Sequence, residues 1–388
     1  MQFKIQKINN IAAKGLDRFP SDGYEIGTEI NDPDAVILRS QKLHEMEFGA
    51  NLKAIGRAGA GVNNIPVDRL TALGVPVFNA PGANANAVKE LVIGSLLLSQ
   101  RNLHSAVAYT DSLVSHGDAL EKEVEDGKKR FVGTEIAERT LGVIGLGAIG
   151  VEVANAAAAL GMKVIGHDPG ITVSNAWKLN ASVKMARSVD EVLAESEFLT
   201  IHVPLVEATK HMISASRLPA MKQGAVLVNF ARAGVVDEAA VIDALDSGRL
   251  ATYICDFPTR ENIDHDKIIA LPHLGASTAE AEENCAFMVA DQLCDYLENG
   301  NISNSVNFPA ITLSRKSEHR LALVHRNIPD MVGQISHQLG ISSINILHMI
   351  NESRGEYACT LIDSESPVSD STLGAIRDID GLLKVRLI

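Results

Sequence analysis

No run of 18 or more uncharged apolar residues occurs in the 388-residue chain, so a membrane-spanning helix is not expected. Cysteine is sparse. The four residues, Cys255, Cys285, Cys294 and Cys359, form no CxxC pair and no Cys/His cluster at zinc spacing. They read as reduced thiols of a cytoplasmic protein, and no metal site is expected. Positive charge is also in deficit. The 35 Lys and Arg against 48 Asp and Glu leave a formal net charge of −13. That excludes a general nucleic-acid binder, because neutralising phosphates needs a basic surface. It does not exclude an anionic small molecule, since a few arginines in a cleft set the local field against the global sign. The opening MQFKIQKINN reads as a strand and lacks the apolar run and small-residue cleavage site of a secretory leader. No low-complexity tract or solenoid repeat is present.

What is present is an α/β alternation in two blocks and a different pattern after them. In residues 1–88, short apolar runs at Phe3–Ile8, Ala35–Leu38, Leu52–Ile55 and Val75–Phe78 predict a small parallel sheet with helices, the smaller, flavodoxin-like domain, completed by residues 281–312. Residues 89–280 repeat the alternation more strongly. Strands are predicted at Leu141–Gly145, Lys163–Gly166, Phe198–Val203, Ala225–Phe230, Tyr253–Asp256 and Ile268–Leu271. Such continuous apolar strands suit a doubly wound, Rossmann-type sheet buried on both faces. A helical stretch over 281–300, ended by Asn299-Gly300, and a polar segment follow. Residues 318–388 then read strand, helix, strand, strand, helix, strand, a separate βαββαβ module.

Gly145-Leu146-Gly147-Ala148-Ile149-Gly150 follows an apolar strand, opens an alanine-rich helix and is followed about twenty residues on by a second strand and Asp168. A lone GxGxxG is weak, but this context makes it a dinucleotide fingerprint. Gly145 permits the tight turn, Gly147 lets the backbone approach a pyrophosphate, and Gly150 allows close helix–strand packing. The free N–H groups of the helix start favour phosphate. A carboxylate at Asp168 suits ribose hydroxyls and repels an extra phosphate, so NAD rather than NADP is expected. The bland alternative is a glycine-rich turn without ligand.

Three segments after predicted strands carry chemical groups. Arg232, in Asn229–Gly234, can present its guanidinium fork to a carboxylate. His273, in Leu271–Ser277, can accept a hydroxyl proton as hydride leaves for a nicotinamide. Glu261, in Asp256–Glu261, can orient the imidazole and favour its protonated form. Each of these, taken singly, reads equally as a surface charge or a satisfied histidine.

These residues resemble the D-isomer-specific 2-hydroxyacid dehydrogenase family over nearly the whole chain, in the segments LGVIGLGAIG, HVPL, NFARAGVVDEAAVIDAL and LPHLGAST. The resemblance implies Arg232, Glu261 and His273 as the catalytic set. It also implies His202, Val203, Pro204, Ala231, Asp256, His273 and Gly275 as cofactor contacts beside Gly145, Gly147, Ala148, Ile149, Gly150 and Asp168. Within the family, Leu38-Arg39-Ser40 and Gly56–Asn64 resemble the members that oxidise 3-phosphoglycerate at the head of serine synthesis. That likeness implies Arg39 and Arg57 for the substrate phosphate, the backbone of Ala58, Gly59, Ala60 and Gly61 for its carboxylate, and Ser40 and Arg232 as further substrate contacts. The sequence departs from the pattern in places. Asn63 stands where Asp is usual, Arg260 intrudes before Glu261, and the loop from there to Pro272 is short.

The tail resembles the short form's ACT regulatory domain, which implies L-serine as effector at His325, Asn327 and Asn345 and a homodimer or homotetramer. Asp330 stands where Gly usually follows the proline; a module that only dimerises the enzyme is the alternative. Two other functions stay open: a hydroxypyruvate or glyoxylate reductase, or other D-2-hydroxyacid dehydrogenase, and an NAD-sensing corepressor-like binding protein.

Overall fold

The computed structural model describes residues 2–114 and 117–388. It divides into two units, Met1–Ala83 with Glu282–Ile388, and Asn84–Ala281.

In the first unit, five parallel strands, β1 (Phe3–Lys7), β2 (Tyr24–Gly27), β3 (Ala35–Leu38), β4 (Ala54–Arg57) and β5 (Val77–Asn79), lie in the order β2-β1-β3-β4-β5. That is a flavodoxin-like winding. All four residues of β3 are buried, as a strand covered on both faces requires.

The second unit is built on seven parallel strands: β6 (Thr140–Ile144), β7 (Lys163–His167), β8 (Lys184–Met185), β9 (Phe198–Ile201), β10 (Ala225–Asn229), β11 (Leu250–Cys255) and β12 (Ile268–Ala270). Their order is β12-β11-β10-β9-β6-β7-β8. The chain starts at β6 and winds outward both ways, so the order reverses between β6 and β9, where ligands bind in open α/β sheets. The β10–β11 ladder shifts register between Ala225 and Val226, at its start, and the pairing is regular at the other end. His167, Ile144, Ile201, Asn229, Cys255 and Ala270 pair in succession across the carboxyl edge. Residues just after these six therefore emerge side by side.

The tail folds as β13 (His319–Arg326), helix Met331–Ile341, β14 (Ile346–Arg354), β15 (Tyr357–Ser364), helix Asp370–Arg377 and β16 (Leu382–Leu387). Its antiparallel sheet has the order β14-β15-β13-β16, the βαββαβ arrangement expected from the sequence. The expected independence of 318–388 is not what the packing shows. One face of its sheet carries its helices, through Leu321, Leu323, Ile335, Leu339, Ile362 and Ile376. From the other face, Ala322, Val324, Cys359 and Leu361 enter one core with Ile5, Ile37, Ala54 and the helix Ala279–Asn299.

That helix also explains the attachment. The last four carbonyls of a helix have no partner within it. Here Arg386 donates to the carbonyls of Tyr296 and Leu297, Arg315 to Glu298 and Arg320 to Asn299. Arg320 is wholly buried and forks onto Asp363 at 2.6 and 2.9 Å. Two tail arginines and Arg315 just before the tail thus satisfy the helix end and its negative dipole.

Candidate active site

The fingerprint sits on the turn from β6 into the helix Ala148–Ala159. Each glycine meets a different constraint. Gly145 adopts φ 89°, and a Cβ there would lie 2.6 Å from the His202 carbonyl oxygen. A Cβ on Gly150 would collide with the Gly145 carbonyl. At Gly147 nothing stands within 4 Å, so its missing side chain leaves open space at the helix N-cap. The first two glycines are required by the fold. Gly147, by contrast, borders open space.

Asp168 follows β7 and ties this turn down. One carboxylate oxygen accepts the Leu146 N–H at 2.8 Å and the other the Gly170 N–H at 2.8 Å. Two bonds leave a carboxylate with acceptor capacity to spare. His202 follows β9. Its N–H donates to the Ile144 carbonyl at 2.7 Å, and its Nε2 lies 3.0 Å from the buried Thr200 hydroxyl. Burial pushes the imidazole down to about 3, so it is neutral at pH 7. Val203 and the exposed Pro204 continue this loop.

Arg232 lies three residues beyond the β10 end. Asn229, fully buried, organises the turn: its Oδ1 accepts the Ala231 N–H at 3.1 Å and its Nδ2 donates to the Arg232 carbonyl at 3.0 Å. Arg232 is half-buried, and its Nη1 donates to the Ala231 carbonyl at 2.6 Å.

His273 lies three residues beyond the β12 end, exposed, at the left-handed φ of 58°. Its N–H donates to the Leu271 carbonyl at 2.9 Å. The Phe257 ring meets the imidazole edge-on, with centroids 5.4 Å apart. Asp256, buried directly after β11, clamps the loop by accepting the N–H groups of Leu274 at 2.8 Å and Gly275 at 2.6 Å. A backbone clamp was not visible in the sequence, where Asp256 stood only among the implied cofactor contacts.

Glu261 is not joined to His273. It lies exposed in a turn, and among the described residues no carboxylate makes a hydrogen bond or ion pair with the His273 ring. The neighbouring residues are held elsewhere, because Glu238 accepts from Thr259 at 2.7 Å and Asn262 at 2.5 Å. Glu238 is thus a positioning acid that motif reading missed. No cluster of metal-ligating residues occurs among the described residues.

In the first unit, Leu38, Arg57 and Asn79 end adjacent strands in register. Arg39 follows the first, and Arg57 Nε donates to its carbonyl at 3.0 Å. A Cβ on Gly59 would collide with the Arg57 guanidinium, so that glycine lets the arginine lie across the loop of Ala58, Gly59, Ala60 and Gly61. Ser40 N–H is held by Asn9 Oδ1 at 3.1 Å.

Residues 103–277 match the NAD binding domain of the D-isomer specific 2-hydroxyacid dehydrogenases. The D-3-phosphoglycerate dehydrogenase of Haemophilus influenzae is 32% identical over 382 residues, 95% of this chain and 89% of that protein. The chain belongs to the D-isomer specific 2-hydroxyacid dehydrogenase family. The enzyme of the same name from Methanocaldococcus jannaschii is 36% identical over 84% of this chain, which spans 61% of that longer protein. The NAD+-bound 3-phosphoglycerate dehydrogenase of Entamoeba histolytica superposes with a TM-score of 0.63 at 27% identity, covering 79% of this chain and 99% of that one.

In the tail of this dehydrogenase-family chain, His325, Asn327 and Asn345 differ in burial. Both ring nitrogens of buried His325 are engaged internally, with the Arg326 carbonyl and the Thr360 hydroxyl, each at 2.8 Å. Burial holds its pKa below the usual histidine value. Asn327 is exposed and donates to the Gly355 carbonyl at 3.1 Å, and Asn345 is exposed. His325 is thus a core residue of the sheet. Asp330 takes φ 62°, the left-handed conformation that a glycine there adopts without cost.

Proposed function

We propose that the chain oxidises D-3-phosphoglycerate to 3-phosphohydroxypyruvate with NAD, and that it is a short form whose tail is an ACT-like module. The observation that carries this reading is the row of strand ends. It delivers the glycine turn, Asp168, Arg232, Asp256 and His273 to one edge, while Arg39 and Arg57 end neighbouring strands of the other unit. A hydroxy acid needs one cation for its carboxylate; a phosphate needs more, and these two arginines supply them.

The open space at Gly147 and the spare acceptors of Asp168 fit a dinucleotide. Gly145–Gly150 would hold the pyrophosphate and Asp168 the ribose. Bound NAD supplies the hydride acceptor. Arg232 holds the substrate carboxylate and polarises the C2 oxygen, and the hydroxyl proton passes to an imidazole nitrogen of His273. Asp256 keeps the loop under His273 in place. Glu261 takes the orienting role only if the turn at 260–264 closes on the ring.

The test is NADH formation with 3-phosphoglycerate, D-glycerate and D-lactate under identical conditions. The reading requires the highest kcat/KM with the phosphorylated acid. A preference for D-glycerate or D-lactate would assign another hydroxyacid dehydrogenase, and NAD binding without turnover would assign a sensor.

A further inference from the structure

Arg39 is already occupied. Its Nη1 lies 2.5 Å from Glu282 Oε1, with the two side chains 32% and 42% exposed. Glu282 sits in the first turn of the helix Ala279–Asn299, more than 240 residues along the chain. One residue on, Glu283 pairs instead with Lys14. Arg57 and buried Cys285 belong to the same neighbourhood as the Arg39–Glu282 pair. Burial raises the Cys285 thiol, the charges of Arg39 and Arg57 draw it down, and Glu282 pushes it up. Arg39 is therefore not an open anion receptor, because a ligand that uses its Nη1 must take it from a carboxylate, and one that approaches the rest of the guanidinium meets the Glu282 charge beside it.

The exchange is feasible in both directions. A partly exposed ion pair holds weakly, since solvent screens it and two flexible side chains must be ordered. A phosphate dianion brings twice the charge and three acceptor oxygens. An acid without phosphate has no reason to reach Arg39 and leaves the pair intact.

We propose that Glu282 is an internal competitor for Arg39, a built-in counter-ion displaced by the substrate's phosphate. It weakens the binding of every phosphate ligand by the same factor and leaves unphosphorylated acids unaffected. Glu282 is a positioning residue and touches no reacting atom. The inference rests on reading Arg39 as a phosphate ligand.

Calorimetric titration with inorganic phosphate tests it in the full-length wild type, Glu282→Gln, Arg39→Ala and the double variant. KM is measured in parallel for 3-phosphoglycerate and D-glycerate. Glu282→Gln should tighten phosphate and lower the 3-phosphoglycerate KM by about two- to fivefold, the range an exposed pair supplies, without lowering the D-glycerate KM. The gain should vanish when Arg39 is absent. Glu283→Gln removes the same charge from the same helix turn and should reproduce none of it. Three results would overturn the proposal: no tightening, a rise in KM as loss of a mere structural brace would cause, or a gain that persists without Arg39. If Arg39→Ala itself leaves phosphate affinity unchanged, the assignment of Arg39 fails instead, and the two failures are told apart.

Discussion

Gly147 and Gly150 look equivalent in the motif, but a methyl group on each meets different matter. At Gly150 it strikes the Gly145 backbone, and at Gly147 it enters empty space. Gly150→Ala should lower stability by about 1–3 kcal/mol, the usual cost of overpacking. Gly147→Ala should stay within about 1 kcal/mol of wild type in urea unfolding, yet weaken NAD binding, because the methyl occupies the pyrophosphate's approach. Equal effects on stability would refute the division. His202 adds a pH dependence. Its folded pKa of about 3 lies below the unfolded value of about 6.5. Between these limits the unfolded chain binds a proton that the folded chain refuses, so stability falls as pH drops below about 6.5. The urea midpoint should fall less between pH 7.5 and pH 5 in His202→Asn than in wild type.

At the scale of elements, the His273 loop depends on one acceptor beneath it. Asp256→Ala leaves the Leu274 and Gly275 N–H groups without a partner, and a buried orphan of this kind costs about 1–3 kcal/mol. Turnover should fall more than NAD affinity, and hydrogen exchange of the two amides should quicken; unchanged exchange would remove Asp256 as the clamp. Most strands of both parallel sheets were legible, because strands buried on both faces are continuous apolar runs. Ala35–Leu38 is read to the residue. Phe198–Val203 and Ala225–Phe230 run past the last ladder residues because Val203 and Phe230 pack on cores beyond the hydrogen bonds. β2 and β8 were missed. Both are short edge strands: β2 offers only Tyr24 and Ile26 on one side, too brief an alternation to stand out, and the β8 residues Lys184 and Met185 are exposed. The fingerprint, Arg232 and His273 were readable because each sits at fixed spacing from a strand end. The Asp256 clamp, the Glu238 brace and the Arg39–Glu282 pair join residues far apart in sequence, and no local pattern announces them.

At the scale of the molecule, the tail is the largest departure from the sequence reading. Its sheet face resembles that of any half-covered β-sheet, and what covers it is set by contacts with the first unit. The buried Arg320–Asp363 pair and the arginine caps tie the tail to that unit, so the two should unfold together. Arg320→Ala strands a buried carboxylate and should cost about 3–5 kcal/mol. The loss should appear in the unfolding of both sheets of this unit at once, followed by pulse-labelled hydrogen exchange. Exchange confined to residues 318–388 would show an independent domain.

In the proposed reaction the imidazole after β12 removes the substrate proton while hydride moves to NAD. Single-turnover NADH formation from 3-phosphoglycerate, followed by absorbance in wild type and His273→Ala with NAD saturating, tests it most directly. The account predicts a rate lower by about 100- to 10,000-fold with NAD affinity close to wild type. A rate within a few-fold of wild type would contradict it.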